Sequence, residues 1–395
     1  MSAGPVRRVV VVGAGLGGLR TAEELRSLGY DGELTLVGAE PHPPYSRPPL
    51  SKEVLRGEVA PETAHLREEA ALAHIDLRRG VRAVGLDVAG RALALEDGSA
   101  LAYDAAVIAT GATPRALPGV DSPAVHVLRT LDDAVALRDK LADRPRVAVI
   151  GAGFIGSEVA SSARKLGCEV TVIELLPAPL VQCLGPVIAE ACAALQVGAG
   201  VDLRCGVGVD SISDGKLQLS DGTSVAADVI VVGIGVRPEL DWLQNSGLDI
   251  DNGLVCDETC QTSAPGVYAV GDVARWHNPL YGEHMRLEHW TNATEQAAAV
   301  ARNIVGEPTP FAPVPYFWSD QFDAKIQVLG AARADDDVRV VRGSLDGGKF
   351  LALYGRGGRL TGAVGLSSAR HVMALRPLLA EGTAYDDAIA HATAS

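Results

Sequence analysis

The sequence predicts an α/β chain made of two nucleotide-binding domains of one design, the second inserted in the first, followed by a C-terminal α+β domain. Three observations carry this expectation. Residues 146–174 read as strand, glycine turn, helix and strand, with Gly151, Gly153 and Gly156 in G-x-G-x-x-G spacing. Residues 8–40 do the same around Gly13, Gly15 and Gly18. From Pro315 the pattern changes to alternating segments that belong to neither copy.

In the second copy, Val147, Val149 and Ile150 make a short apolar strand. The glycines let the backbone turn sharply and let a pyrophosphate approach the helix N-terminus. A further strand, 170–173, ends on Glu174, about 20 residues past the turn, where an acid can bind a ribose 2′-hydroxyl. A lone glycine motif is weak. Flanked by two strands and closed by an acid, it specifies a Rossmann-like dinucleotide domain. In the first copy the strand is 9–12, the helix 16–28, the second strand 34–37 and the acid Glu40. Two fingerprints imply two nucleotides, a combination commonly used to set a nicotinamide against a flavin.

Composition bounds the rest. At 395 residues, 47% hydrophobic and 21% charged, each domain can bury a core. A net charge of −14 argues against a nucleic-acid binder. No apolar run reaches the length of a membrane helix and no signal peptide precedes the first strand, so a cytoplasmic protein with no membrane partner is expected. The cysteines (Cys168, Cys183, Cys192, Cys205, Cys256 and Cys260) form no C-x-x-C pair, so buried or reduced thiols and no metal site are expected.

After Glu40 comes PHPPYSRPPLSKEVL. Its prolines stiffen the loop and hold Arg47 and Lys52 in place, and Ser51 reads as the N-cap of a short helix. Residues 78–101 alternate like strands around an Asp97-Gly98 hairpin signal. An apolar strand within 103–111 stops at Thr110 and Gly111. Pro114 and Pro118 mark a linker, and a helix over 132–141 leads into the second fingerprint. That copy also continues into an Asp221-Gly222 turn, a strand at 229–232 and a closing glycine, Gly235.

Residues 266–274 read as a strand ending in Gly271 and Asp272, which puts Asp272 where ligands bind in open α/β sheets. Asn292 and Glu295 read as a capping box that starts a helix running to about 305, whose dipole favours nearby negative charge. This segment completes the first module. The expected domains are therefore 1–115 with 240–317, 116–239, and 318–395. In the last, alternating segments at 324–329, 338–341, 350–354 and 360–365 precede a helix near 368–379. Trp318 stands at the domain boundary, where pockets commonly form.

These residues together resemble a known family. GAGLGG, PYSRPPLSK, IATGATPR, LRTLDDA, GAGFIGSE, GVRPE, VYAVGDVA, EHWTNATEQA and PYFWSDQ are similar to stretches of the NADH-dependent, FAD-containing ferredoxin reductases of the putidaredoxin reductase and biphenyl dioxygenase reductase type. The likeness spans essentially the whole chain. It implies that Gly13, Gly15, Gly17, Gly18 and Glu40 hold the adenosine and pyrophosphate of FAD. It implies further FAD contacts from Arg47, Lys52, Thr110, Gly111, Arg129, Gly271, Asp272, Glu288 and Trp290. Lys52 would lie by the flavin N5, paired with Glu158 across the two nucleotide modules, and these two are the expected catalytic residues. Trp318 would line the flavin's exposed side. Gly151, Gly153, Ile155, Gly156, Glu158, Glu174 and Gly235 would form the NADH site. Two positions depart from the family's usual pattern. Ala39 replaces an acid before Glu40, and ELLPAPLVQC after Glu174 has neutral Ala178 and Gln182 and no arginine, which weakens the expected grip on the adenosine of NADH.

The resemblance implies hydride transfer from NADH to FAD and then single-electron transfer to a small [2Fe–2S] ferredoxin feeding a cytochrome P450 or Rieske oxygenase. A disulfide reductase of similar fold needs a redox-active cysteine pair beside the flavin, and no cysteine precedes Cys168. Rubredoxin reductase and monodehydroascorbate reductase need no thiol and stay as alternatives, as does a non-catalytic NADH-sensing flavoprotein. An acidic ferredoxin meeting an acidic reductase needs a local basic patch near Trp318, for which Arg302, Lys325 and Arg333 are the candidates.

Overall fold

The computed structural model describes residues 6–67, 72–118, 122–213 and 215–394. It divides into two compact units. One takes the chain up to Ser46, His65–Thr113 and Arg237–Pro313; the other takes Arg47–Ala64, Pro114–Val236 and the chain from Val314.

In the first unit a parallel sheet runs in the order Val267–Ala269, Ala105–Ile108, Arg8–Val12, Glu33–Gly38, Asp76–Arg79. Val267–Ala269 comes from beyond the second fingerprint, yet it pairs in parallel with Ala105–Ile108. The second unit has the same layout: Val125–His126, Val229–Val232, Arg146–Ile150, Glu169–Glu174, Asp202–Cys205. Strands buried on both faces must be apolar throughout, which is why Val9–Val12 and Val229–Val232 are unbroken valine and isoleucine runs.

The duplication reaches individual side chains. Arg8 pairs with Asp104 at 3.0 Å and Arg146 with Asp228 at 2.7 Å. Each aspartate also accepts its arginine's backbone N–H, at 2.9 and 3.0 Å, so the first strand of each module is clipped to its closing strand. The Arg146 guanidinium holds the Asp228 carboxyl down at about 2. The two expected Asp-Gly turns are also alike. Asp97 accepts the Ser99 N–H and Asp221 the Thr223 N–H, both at 2.9 Å.

Helix Val181–Gly198 was not anticipated from the sequence; it contains Gly185 and Pro186. The structure bends there, with Gly185 at φ 72°. This helix corrects the expectation that no apolar segment is long enough to cross a membrane, since it has 18 residues and a mean hydropathy of 1.3. Leu184, Ile188, Ala191 and Cys192 pack on Ile326, Val328, Phe350, Tyr354 and Leu366, so it is a core helix. The Tyr354 hydroxyl donates to the Leu184 carbonyl at 2.6 Å.

The C-terminal sheet is antiparallel in the order Tyr316–Gln321, Ala324–Gly330, Arg359–Leu366, Lys349–Arg356, Asp337–Ser344. The helix expected near 368–379 is two short ones, Ala369–Ala374 and Arg376–Ala380, with Pro377 in the first turn of the second. A last helix, Tyr385–Ala394, was not foreseen.

Two caps also need correction. The helix assigned to an Asn292 box starts at Trp290, with His289 at the N-cap and no side-chain cap bond. Asn292 instead lies buried in its first turn, donating to the Leu287 carbonyl at 3.4 Å. Ser51 ends a 3₁₀ turn, Pro48–Ser51, rather than starting a helix. The two prolines supply the first positions of that turn, where a missing N–H costs nothing.

Candidate active site

The first fingerprint has the shape a pyrophosphate needs. Gly13 has φ +113°, and a Cβ there would meet the Ala109 carbonyl oxygen at 2.2 Å. A Cβ on Gly18 would lie 1.8 Å from the Gly13 oxygen, so the helix crosses the strand at the closest possible approach. A Cβ on Gly15 would meet nothing within 4 Å. Gly15 is the N-cap of helix Leu16–Ser27, which has no side-chain cap and no acid in its first turn. Open space beside uncapped N–H donors is a fit for phosphate oxygens. Gly17 packs on Val270, where a Cβ would come within 3.0 Å. In the same unit the Glu40 carboxylate accepts the Tyr45 hydroxyl. The Thr110 hydroxyl donates to the Glu239 carbonyl at 2.9 Å and Gly111 accepts the Glu239 N–H at 3.0 Å.

Asp272 follows Gly271, whose N–H donates to Gln296 at 2.8 Å. Arg286 donates to the Asp272 carbonyl at 3.1 Å and pairs with Glu288 at 2.7 Å, which links two of the expected FAD residues. Next to Trp290 the sequence reading missed His289. Burial pushes its imidazole down to about 4, partly opposed by the Asp272 carboxylate, so it is neutral at physiological pH.

The second fingerprint repeats the geometry. Gly151 has φ +99° and would place a Cβ 2.5 Å from the Gly233 oxygen; Gly156 would place one 2.0 Å from the Gly151 oxygen. Gly153 caps helix Phe154–Lys165 with no side-chain bond. The Glu174 carboxylate accepts the Ala152 N–H at 2.6 Å and the Leu176 N–H at 2.9 Å. It therefore sits against the glycine turn, within reach of a dinucleotide lying there. Among the apolar side chains exposed in this unit are Leu175 at 72%, Ile155 at 49% and Ile234 at 37%. Ile155 was expected to line the NADH site; Leu175 was not singled out. Gly235, at φ +93°, accepts the Arg115 N–H at 2.9 Å.

A buried polar cluster lies in the second unit. Lys52 and Glu158 form the expected ion pair at 2.6 Å. Both lie in one compact unit, because Arg47–Ala64 belongs with Pro114–Val236, so the pair does not span two units. Glu158 is 5% exposed and Lys52 8%. The Ser51 hydroxyl donates to Glu158 at 2.5 Å and the Ser319 hydroxyl at 2.6 Å. Lys52 also donates to the Pro48 carbonyl at 3.2 Å. The proline-rich loop is tied down elsewhere too. Arg47 donates to the Arg129 carbonyl, and the Ser51 carbonyl accepts the Ser162 hydroxyl at 2.6 Å. Arg129 stands just before helix Leu131–Leu141, whose Thr130–Asp133 capping box fixes it. Neither serine was a sequence candidate, although Ser51 precedes Lys52 and Ser319 follows Trp318.

Trp318 stacks on Tyr316, with ring centroids 6.1 Å apart, and the Lys325 ammonium lies 5.8 Å from its ring. Lys325 also pairs with Asp320 at 2.7 Å. Of the three candidate basic residues, Lys325 is the one at Trp318. Arg302 pairs with Glu24 at 3.7 Å in the first unit, and the Arg333 N–H donates to Asp336 at 2.9 Å.

Two dinucleotide folds, each with an open glycine turn, define a flavin- and nicotinamide-dependent oxidoreductase. Comparison with known proteins narrows the class. Residues 7–297 match the pyridine nucleotide-disulphide oxidoreductase family and 316–395 the reductase C-terminal domain. The chain belongs to this family. It is 39% identical to rhodocoxin reductase of Rhodococcus erythropolis over 94% of this chain and 89% of that protein. It is also 39% identical to the ferredoxin–NAD(+) reductase component of the anthranilate 1,2-dioxygenase system of Burkholderia cepacia, over 98% and 96%. The covalent putidaredoxin reductase–putidaredoxin complex superposes with a TM-score of 0.92 at 33% identity, over 99% of this chain and 100% of that chain.

Proposed function

We infer that this chain is an NADH-dependent ferredoxin reductase, passing electrons through FAD to a [2Fe–2S] ferredoxin that serves a cytochrome P450 or Rieske oxygenase. The observation that carries this is what stands where a family disulfide reductase needs thiols. All six cysteines are free and none lies in the PYSRPPLSK loop, which instead supplies Lys52, buried against Glu158. FAD, when bound, accepts a hydride from the nicotinamide and returns electrons singly, which suits a one-electron acceptor. Relatives named as ferredoxin–NAD(+) reductases, and the complex with putidaredoxin, support the acceptor class.

In this reading Gly13, Gly15, Gly17, Gly18 and Glu40 hold the adenosine and pyrophosphate of FAD. Arg47, Thr110, Gly111, Arg129, Gly271, Asp272, Glu288 and Trp290 make its remaining contacts. Lys52 acts at the flavin N5, with Glu158 neutralising its charge. Gly151, Gly153, Ile155, Gly156, Glu174 and Gly235 bind NADH. Trp318 and Lys325 face the acceptor. Along the sequence the domains divide at 1–115 with 240–317, 116–239 and 318–395, with Arg47–Ala64 grouped in the second compact unit. A cytoplasmic location is proposed as well, and unpaired cysteines support it.

The test is a panel of purified [2Fe–2S] ferredoxins and rubredoxins reduced by NADH in the presence of the protein. Reduction of a ferredoxin, falling as ionic strength rises, is the expected result. Reduction of rubredoxin alone, or turnover with no protein acceptor, overturns the reading.

A further inference from the structure

Helix Phe154–Lys165 presents one stripe, Phe154, Glu158, Ser161 and Lys165, at helical spacing. The hairpin of Tyr316–Gln321 and Ala324–Gly330 meets each member in turn. Phe154 and Phe317 pack edge to face with centroids 4.9 Å apart. Ser319 donates to Glu158 at 2.6 Å, the Phe322 N–H donates to the Ser161 hydroxyl at 2.7 Å, and Lys165 pairs with Asp323 at 2.6 Å. Alternate residues of the strand, 317, 319 and 321, share this side, while Tyr316, Trp318 and Asp320 take the other.

The hairpin tip holds a strained shape to make these contacts. Phe322 and Asp323 both have positive φ, 50° and 60°, in a two-residue turn that favours Asn-Gly. Such a turn persists when its surroundings determine it. Here the surroundings are Ser161, Lys165 and a core containing Leu55, Val159 and Ala163, against which Phe322 packs.

We propose that Ser319 is a positioning residue: it fixes the Glu158 carboxylate so that it faces Lys52, and the C-terminal hairpin is the device that holds Ser319 there. This rests on the assignment of the Lys52–Glu158 pair to flavin reduction. The hydrogen-bond directions are determined. Gln321 donates its amide N–H to the Ser319 oxygen at 3.1 Å, so the single hydroxyl proton of Ser319 is directed to Glu158. Lys52 stands likewise 3.3 Å from the Ser51 oxygen, whose proton goes to the other carboxylate oxygen. One carboxylate oxygen thus belongs to Ser319, and the other to Ser51 and Lys52. With Ser319 removed, the Oε1 end of the carboxylate loses its donor and the group is held through Oε2 alone, so its plane is no longer fixed from both sides. The other charges near the stripe, Arg56, Lys165 and Asp323, are engaged with Glu58, Ser162 and each other.

The experiment is a double-mutant cycle of Ser319→Ala and Glu158→Gln in the holoenzyme, with Ser319→Thr as the conservative control. It has two readouts: the rate of flavin reduction by NADH in stopped flow, and the thermal unfolding midpoint. Ser319→Ala is expected to slow reduction about tenfold, Ser319→Thr to restore most of the loss, and Ser319→Ala to add nothing once Glu158 is Gln. The unfolding midpoints are expected to be non-additive in the same sense. If Glu158→Gln slows reduction and Ser319→Ala does not, or the two effects add in full, the positioning role is refuted alone. If Glu158→Gln reduces its flavin at the wild-type rate, the assignment of the pair fails, and the positioning role with it.

Discussion

Replacing Lys52 with Ala isolates the work of the buried pair. Two unit charges 2.6 Å apart attract by about 6 kcal/mol at an effective dielectric near 20. Desolvation of both ends cancels much of that, but cutting one partner leaves the other buried, which costs about 3–5 kcal/mol. Here Ser51 and Ser319 still donate to Glu158, so the lower end applies. Carried into the hydride-transfer barrier, about 3 kcal/mol is roughly a hundredfold. The flavin's adenosine and pyrophosphate are assigned to the first fingerprint, so FAD content is expected to stay near normal. The assay is stopped-flow reduction by NADH at saturating concentration, normalised to bound flavin. Reduction at the wild-type rate refutes the role of Lys52. A variant that loses its FAD shows that the lysine holds the cofactor rather than tuning its reaction.

Three further outcomes follow from the geometry. Gly151→Ala puts a methyl 2.5 Å from the Gly233 oxygen at φ +99° and is expected to weaken NADH binding at least about tenfold with FAD retained, whereas Gly13→Ala is expected to lose FAD; flavin absorbance and NADH titration separate the two. Glu174 accepts two N–H groups beside the glycine turn, and a 2′-phosphate there would meet repulsion of roughly 1–3 kcal/mol, so NADH is preferred about ten- to hundredfold and Glu174→Gln brings the two nucleotides' kcat/KM within a few-fold of each other. His289 is held neutral down to about 4, against about 6.5 when unfolded, so between those values the unfolded chain takes up a proton that the folded chain refuses; stability falls as pH falls through this window, by about 2–3 kcal/mol, and His289→Asn flattens that limb in urea midpoints measured at pH 5 and 7.

Local chemistry wrote much of this protein into its sequence. The first and last glycines of both fingerprints, Gly13, Gly18, Gly151 and Gly156, are demanded by backbone contacts of 1.8–2.5 Å, which no other residue permits, so their spacing announces the turn wherever it occurs. The all-apolar strands and the Asp-Gly turns are equally local, since burial on both faces and positive φ leave few residue choices. That Lys52 belongs with Glu158 was legible through family resemblance and not through spacing.

Long-range packing decided the rest. Ser51 and Ser319 are 268 positions apart in sequence, read off their numbers, and nothing in either segment shows that their hydroxyls meet one carboxylate. Helix Val181–Gly198 was not anticipated; its Gly-Pro step does interrupt helical geometry at Gly185, and packing on the C-terminal sheet buries Leu184, Ile188 and Cys192 on either side of that kink. The start of the helix at Trp290 was misplaced because Asn292, a good cap by propensity, is buried instead. Local propensity is a matter of tenths of a kcal/mol to about one, while a buried side chain contributes a few, so where the two disagree the tertiary contacts win.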